Sequence, residues 1–168
     1  ALAPLTNQYV FALAVSGSDL YAGADGGGVF RSTNNGASWS NSTAGMTNTR
    51  ITSLAVSGSN LFAGTFGGGV FRSTNNGTSW ISASAGLTNT DVWTVAVSGA
   101  NLFAGTGGGL FISTNNGTGW TSVGSGLTGL YIHSIAFSGT TIFAGTDADG
   151  VFRSTNNGAN WIAMNEGL

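Results

Sequence analysis

Cysteine is absent from this chain of 168 residues, and charge is scarce. The lack of cysteine excludes disulfide bonds and thiolate metal sites. Only 6% of the residues are charged, the four basic residues are all arginine, and the net charge is -2. Because proteins bind phosphate backbones through clustered positive charge, this composition argues against nucleic acid as a partner.

Long apolar runs are also missing. No stretch approaches the roughly 20 apolar residues that a helix needs to cross a bilayer, so no membrane partner is expected. The chain is nevertheless 41% hydrophobic and 11% aromatic, which is too apolar for a disordered chain and sufficient for a packed core at this length. It opens ALAPL, with neither an initiator methionine nor a signal peptide, as expected of a mature product, an excised piece or an engineered chain.

An eight-residue pattern occurs four times and organises the whole chain. It reads STNNGASW from Ser32, STNNGTSW from Ser73, STNNGTGW from Ser113 and STNNGANW from Ser154. We call each copy an octet. Because the copies recur about every 40 residues, the chain is expected to be one domain of four repeated units. The units cover approximately residues 7–47, 48–88, 89–128 and 129–168.

Each unit has the pattern of a four-stranded antiparallel meander. Short runs rich in Val, Ile, Leu and Phe are separated by Gly, Ser and Asn, and no apolar period of 3.6 residues is present. The prediction is therefore an all-β fold. In the second unit the predicted strands are residues 51–57, 60–64, 69–73 and 79–83.

The first strand of each unit is apolar on both faces. In the second unit the alternation predicts Ile51, Ser53 and Ala55 on one face, opposite Leu54 and Val56. Sheets with a small-residue face and a large-residue face need neighbours on both sides, which predicts a β-propeller with four blades per chain. The fourth unit repeats the pattern, with Ile132, Ser134 and Ala136 opposite Ile135 and Phe137.

The octet resembles the Asp-box, the bacterial neuraminidase repeat of sialidases, sortilin-type receptors and photosystem assembly factors. All four copies fit S-x-N-x-G-x-x-W, with Asn where that family most often has Asp. The resemblance implies a structural turn that lies away from the ligand face. The residue types agree, since Asn suits an Asx-turn, Gly a positive φ and Trp the core. The residues given these structural roles are Asn34, Gly36, Trp39, Asn75, Gly77, Trp80, Asn115, Gly117, Trp120, Asn156, Gly158 and Trp161.

The other end of the blades carries nearly all the residues that differ between units. In an up-and-down blade, the entry to the first strand and the glycine loop between the second and third strands share this end. Aromatic rings beside polar groups suit saccharide or peptide recognition; the alternative is that these positions are simply exposed and free to vary. The candidate ligand-binding residues are Tyr9, Phe11, Asp25, Arg50, Phe66, Asp91, Trp93, Tyr131, His133, Asp147 and Asp149.

No catalytic residue, metal or cofactor is predicted. The GGG loops precede strands, so they lack the helix N-terminus of a phosphate cradle. The segment from Asp147 to Asp149 lacks the later ligands of a calcium loop. A sialidase-like glycosidase is disfavoured because three of the four arginines share one repeated strand position and the only glutamate, Glu166, lies two residues from the C-terminus.

The leading hypothesis is a non-catalytic propeller module, secreted or on the cell surface, that recognises glycan or protein through the variable loop face. The alternative is a structural or engineered repeat fragment that self-assembles into a larger propeller and has no ligand of its own. A glycosidase is the weaker alternative. Because near-identical blades do not encode the number of blades in a ring, a homodimer with eight blades is favoured over a four-bladed monomer.

Overall fold

The chain forms four separate four-stranded antiparallel sheets. The computed structural model describes residues 5, 8–128 and 131–168, so the predicted unit boundaries at Asn7 and Gly129 lie outside the described residues. Over the described part of the chain no helix is long and apolar enough to cross a membrane. The all-β class and the four-bladed architecture predicted from the sequence are confirmed.

In every blade the four strands follow one another in chain order, and the last strand is the shortest. Blade 1 contains β1 (Val10–Ser16), β2 (Asp19–Ala24), β3 (Gly28–Ser32) and β4 (Ser40–Asn41). Blade 2 contains β5 (Ile51–Ser57), β6 (Asn60–Thr65), β7 (Gly69–Ser73) and β8 (Ile81–Ser82). Blade 3 contains β9 (Val92–Ser98), β10 (Asn101–Thr106), β11 (Gly109–Ser113) and β12 (Thr121–Val123). Blade 4 contains β13 (Ile132–Ser138), β14 (Thr141–Thr146), β15 (Val151–Ser154) and β16 (Ile162–Ala163).

The fourth strand of blade 2 is shorter than the predicted range 79–83. It comprises only Ile81–Ser82. Just before it, the backbone N–H of Trp80 donates to the carbonyl of Ala44 in blade 1, at 2.8 Å, and not to its own sheet. This part of the chain therefore bridges two blades and does not extend the ladder of its own sheet.

A β-bulge interrupts the first strand of every blade. In blade 2, Ile51 and Ser53 pair with consecutive residues of β6, which leaves Thr52 as an extra residue. A bulge re-aims the extra side chain and shifts the alternation of the residues before it. The corresponding extra residues are Phe11 in blade 1, Trp93 in blade 3 and His133 in blade 4.

The bulge overturns the predicted orientation of two isoleucines. Strict alternation places Ile51 on the face of Ser53, but the extra residue moves it to the face of the large side chains. Ile51 is fully buried there and packs against blade 1. Ile132 is displaced in the same way and packs against blade 3. The prediction is wrong for both residues because a period of two assumes a regular strand.

Consecutive blades pack through their inner strands, β1 on β5, β5 on β9 and β9 on β13. Between blades 1 and 2, Tyr21 and Val29 meet Leu61, Phe71 and Trp80 in one apolar cluster. Equivalent clusters join blades 2 and 3 and blades 3 and 4. Among the described strands no comparable packing joins β13 back to β1. The four blades therefore form an open row with one exposed face at each end.

The octet is held by the same hydrogen bonds in all four blades. In blade 2, Asn75 Oδ1 accepts from the backbone N–H of Ser79 at 2.9 Å, and Ser73 Oγ accepts from the N–H of Gly77 at 2.9 Å. The Asn side chain thus reaches the amide four residues ahead, further than the predicted Asx-turn. Asn76 and Gly77 both take positive φ, 54° and 76°. The same two bonds recur in the other octets.

Three of the four octet tryptophans are buried, as predicted. Trp80, Trp120 and Trp161 are 2%, 5% and 5% exposed. The backbone N–H of each donates, at 2.8–2.9 Å, to the segment that follows the fourth strand of the preceding blade. Trp39 departs from the prediction and is only half-buried, because none of the four described sheets packs on its side of blade 1. The octet tryptophan therefore packs at the junction between two blades and is not confined to the core of its own blade.

Candidate ligand-binding site

The two variable segments of each blade lie side by side. The backbone N–H of the first loop residue donates to the carbonyl of the entry residue, as from Phe66 to Arg50 at 3.0 Å. Each candidate loop residue is thereby fixed next to the candidate entry residue of its own blade. The other three blades form this bond from Asp25 to Tyr9, from Gly107 to Asp91 and from Asp147 to Tyr131, at 2.9, 3.0 and 3.1 Å.

A contiguous group of rings crosses three blades at this end. Trp93 is the bulge residue of blade 3, and its ring lies between Phe66 of blade 2 and His133 of blade 4. The ring centroids are 5.1 Å apart for Phe66 and Trp93, with an interplanar angle of 63°. They are 4.9 Å apart for Trp93 and His133, with an angle of 48°. Both separations lie in the range of favourable ring contacts.

Charged side chains extend the ring group at both ends. The Arg50 guanidinium lies over the Phe66 ring, 4.5 Å from its centroid, and Arg50 Nε donates to Asp25 Oδ1 at 3.0 Å. At the other end, His133 Nε2 lies 3.4 Å from Asp147 Oδ1. We call this set the Trp93 row. In spatial order its members are Asp25, Arg50, Phe66, Trp93, His133 and Asp147, which together span all four blades.

The row is open to solvent at its ends and partly closed at its centre. The side chains of Arg50, His133 and Asp147 are 53%, 41% and 70% exposed. Trp93 is half-buried, and its indole Nε1 is covered without a hydrogen-bond acceptor among the described residues. A covered N–H without an acceptor costs about 1–3 kcal/mol, so packing and not hydrogen bonding holds this ring.

Three candidate residues near blade 1 and blade 3 lie outside the row. Tyr9 and Phe11 are exposed, at 77% and 62%, beside the exposed face of blade 1. Asp91 faces Phe66 through a backbone bridge, and its N–H is held by Asn89 Oδ1 at 2.8 Å. The backbone of Asp91 therefore supports the row, while its carboxylate is not one of the row's contacts.

The remaining candidates, Tyr131 and Asp149, belong to the blade 4 side. Gly107 takes the place that Phe66 has in blade 2, and a Cβ there would come within 3.3 Å of the Tyr131 ring. Asp149 accepts a hydrogen bond from Thr128 Oγ1 at 3.1 Å. It borders a separate cleft of about 610 Å³ near the C-terminus.

Sequence reasoning missed two asparagines that position the site. Asn48 Nδ2 donates to the carbonyl of Phe66 at 3.1 Å, and Asn48 Oδ1 accepts from the N–H of Arg50 at 2.9 Å. One side chain thus ties the loop to the entry segment. Asn89 holds Asp91 in the same manner. The available signal was the Asn-Thr pair that opens the second and third units, two residues before each variable position.

Burial raises the pKa of the Tyr21 hydroxyl, which donates to the carbonyl of Asn76 at 3.1 Å. This group belongs to the junction of blades 1 and 2. Within the described ranges no group of three or more His, Cys, Asp or Glu side chains is placed to hold a metal ion.

No protein-family model matches the chain, and no curated protein matches it. Solved structures do resemble it. An ancestral GH74 enzyme matches 96% of the chain at 25% identity with a TM-score of 0.78, although the chain spans only 25% of that enzyme. The extracellular domain of BT4673 from B. thetaiotaomicron matches 92% of it at 14% identity with a TM-score of 0.76, over 22% of that domain. The computationally designed Ika4 protein matches 88% of it at 16% identity with a TM-score of 0.70, over 91% of that protein.

These similar structures are β-propeller proteins, and the four sheets have the strand order of propeller blades. The chain therefore has a β-propeller fold of four blades. Because the chain covers only about a quarter of the GH74 enzyme, that enzyme's activity does not transfer with the fold.

Proposed function

We propose that this protein is a non-catalytic propeller module that binds a saccharide through the Trp93 row. The observation that carries the proposal is the unbroken series of contacts from Asp25 to Asp147, with the stacked rings of Phe66, Trp93 and His133 at its centre. Six octet positions are identical in all four blades. The bulge residue, by contrast, is Phe, Thr, Trp and His in turn.

The chemistry of the row suits a sugar. A pyranose presents C–H groups on one face, which pack on an aromatic ring, and hydroxyls around its edge. Carboxylates accept hydrogen bonds from hydroxyls and a guanidinium donates them. Asp147 is 70% exposed and Arg50 is 53% exposed, so both groups are accessible beside the rings.

The arrangement of the acids supports a binding role over glycoside hydrolysis. A hydrolase needs two carboxyl groups on either side of one glycosidic bond, about 5–10 Å apart. In the row one carboxylate lies at each end, Asp25 in blade 1 and Asp147 in blade 4. Arg50 and three rings lie between them. The proposed module therefore holds a sugar without cleaving it.

Two further proposals accompany this function. The octet is of the Asp-box kind, supported by the recurring Asn and Ser bonds and by the buried tryptophans. The module acts outside the cell or at its surface, supported by its likeness to the extracellular domain of BT4673. The competing view, a scaffold without a ligand, would leave the stacked row without a role.

A glycan array probed with the wild-type protein and with Trp93→Ala tests the function. We expect a hit that is lost in Trp93→Ala, because the ring at the centre of the row is removed. Tyr131→Ala is the matched control, since it removes an aromatic ring at the same end of the blades but outside the row. Circular dichroism checks that each variant is folded. A blank array, or a hit that Trp93→Ala leaves unchanged, would overturn the proposal.

A further inference from the structure

We infer that two copies of this chain join head to tail and close an eight-bladed ring. The inference is independent of the saccharide proposal. It rests on the two exposed faces at the ends of the four blades. These faces correspond to the two halves of the junction that the chain forms three times within itself. We call the exposed side of blade 1 the N face and the exposed side of blade 4 the C face.

The N face carries large side chains that, in the other blades, pack against the preceding blade. Leu13 and Val15 are 72% and 62% exposed, whereas their counterparts in blade 2, Leu54 and Val56, are partly buried against blade 1. Val10 differs from its counterparts in all three other blades. It is 42% exposed, and the residues at its position in the other blades are fully buried at 0%, namely Ile51, Val92 and Ile132.

The C face carries the matching slot. In blade 1 a Cβ built on Gly23 would lie 2.4 Å from Ile51 of blade 2, so the absence of a side chain makes room for the branched residue of the next blade. Gly145 holds this position in blade 4, and there a Cβ would meet only Ser134 of the same blade. The space beside Gly145 is therefore present in blade 4, but no branched side chain of a following blade fills it. Val10 of a second copy has the position and the shape to enter it.

The octet end of the junction has a hydrogen-bond donor on one blade and its acceptor on the preceding blade. Within the chain, the N–H of Trp80 donates to Ala44 O at 2.8 Å, and the indole Nε1 donates to Ser42 O at 2.7 Å. On the N face the corresponding donor is Trp39. On the C face the carbonyl corresponding to Ala44 is that of Glu166, by alignment of the repeats. The ring closure that we infer brings these two groups together.

A glycine beside this acceptor shows that the C face is already shaped for a partner. A Cβ on Gly86 would lie 2.3 Å from the Trp120 carbonyl, because the following blade sits directly on it. Gly167 has the same left-handed backbone, with a φ of 87° against 92° for Gly86. Nothing lies within 4 Å of the Cβ position of Gly167. The backbone is held in the docking conformation while the space above it is open.

A second copy satisfies both end faces at once. A head-to-tail contact leaves one N face and one C face unpaired, and with two copies the two unpaired faces meet and close a ring. Apolar surface such as Leu13 and Val15 favours burial of this kind. The net charge of -2 per chain offers little repulsion between the copies.

Sedimentation velocity at micromolar concentration, with two charge variants, tests the inference. Leu13→Glu places a charge on the N face, and Ala136→Glu places one on the C face; both residues are exposed in a single chain, so neither change disturbs its fold. We expect the wild type to sediment as a compact dimer and each variant as a monomer, with dimer affinity lowered by roughly 100-fold or more. Ile81→Glu is the control, an exposed apolar residue on an outer strand, and should leave the dimer intact.

Mixing the two variants shows which faces meet. Leu13→Glu retains a normal C face and Ala136→Glu retains a normal N face, so an equimolar mixture should form a dimer through one junction that neither variant forms alone. A wild-type monomer, a dimer that survives Leu13→Glu, or a mixture that stays monomeric would overturn the inference. A series of ever larger species at rising concentration would also overturn it, because it indicates an open filament in place of a closed ring.

Discussion

The two ends of each blade are built on equally regular backbones but differ in their side chains. At the octet end, the side chains and their bonds recur in all four blades, such as Ser73 Oγ accepting from Gly77 N–H at 2.9 Å. At the loop end, the bond from loop N–H to entry carbonyl also recurs four times, yet it carries Asp25, Phe66, Gly107 and Asp147 in turn. Because backbone bonds and the side chains of Asn48 and Asn89 hold the loop end, the variable side chains are left available for binding.

The strongest test of this comparison removes an octet tryptophan. Trp120→Ala deletes a side chain that is 5% exposed and whose Nε1 donates to Ala83 O across the junction at 2.7 Å. We expect the free energy of unfolding to fall by about 3–5 kcal/mol, measured by urea denaturation.

Trp39→Ala, made in a Leu13→Glu background that keeps the chain monomeric, is the matched control for that substitution. Trp39 is half-buried, and none of the other described sheets packs on its side of blade 1. Its loss should therefore lower the free energy of unfolding clearly less than Trp120→Ala does. Equal losses would show that the octet tryptophan stabilises its own blade and not the junction.

Ser73→Ala tests the hydrogen bonds of the octet separately from its packing. The Ser73 hydroxyl is buried, accepts from the N–H of Gly77 and donates to Asn75 Oδ1, both at 2.9 Å. Its removal leaves a buried N–H without an acceptor, so we expect a loss of about 1–3 kcal/mol in the free energy of unfolding. Ser79→Ala, at an exposed position of the same octet, should change it by less than about 0.5 kcal/mol.

The loop end should behave differently when Trp93 is replaced. Trp93→Phe retains a ring between Phe66 and His133 and removes a covered N–H that has no acceptor among the described residues. Thermal unfolding should therefore show a change of less than about 1 kcal/mol. The same substitution at Trp120 removes a satisfied bond and should cost more. A large loss at Trp93 would place this residue in the structural core and weaken the proposed binding role.

The sequence repeats made it possible to predict the fold. Turn residues in the octets and alternating apolar runs predicted the four sheets, and β5 and β7 begin and end at the predicted residues. The faces of Ile51 and Ile132 were predicted wrongly, because a bulge leaves no distinct residue type in a strand. Trp93 and His133 are both bulge residues, and their rings meet between blades 3 and 4. The sequence indicated which positions vary at this end, but not which of these side chains touch.

The smallest expected effect separates stability from binding within the row itself. Asp25 forms its ion pair with Arg50 at a surface position, where the two side chains are 35% and 53% exposed. Such pairs contribute little, so Asp25→Asn should lower the free energy of unfolding by less than about 0.5 kcal/mol. If the row binds a sugar, losing this acceptor charge should still weaken glycan binding several-fold in a titration, because a carboxylate accepts hydrogen bonds from hydroxyls more strongly than an amide does. Unchanged glycan affinity would restrict the binding surface to the rings and to the Asp147 end.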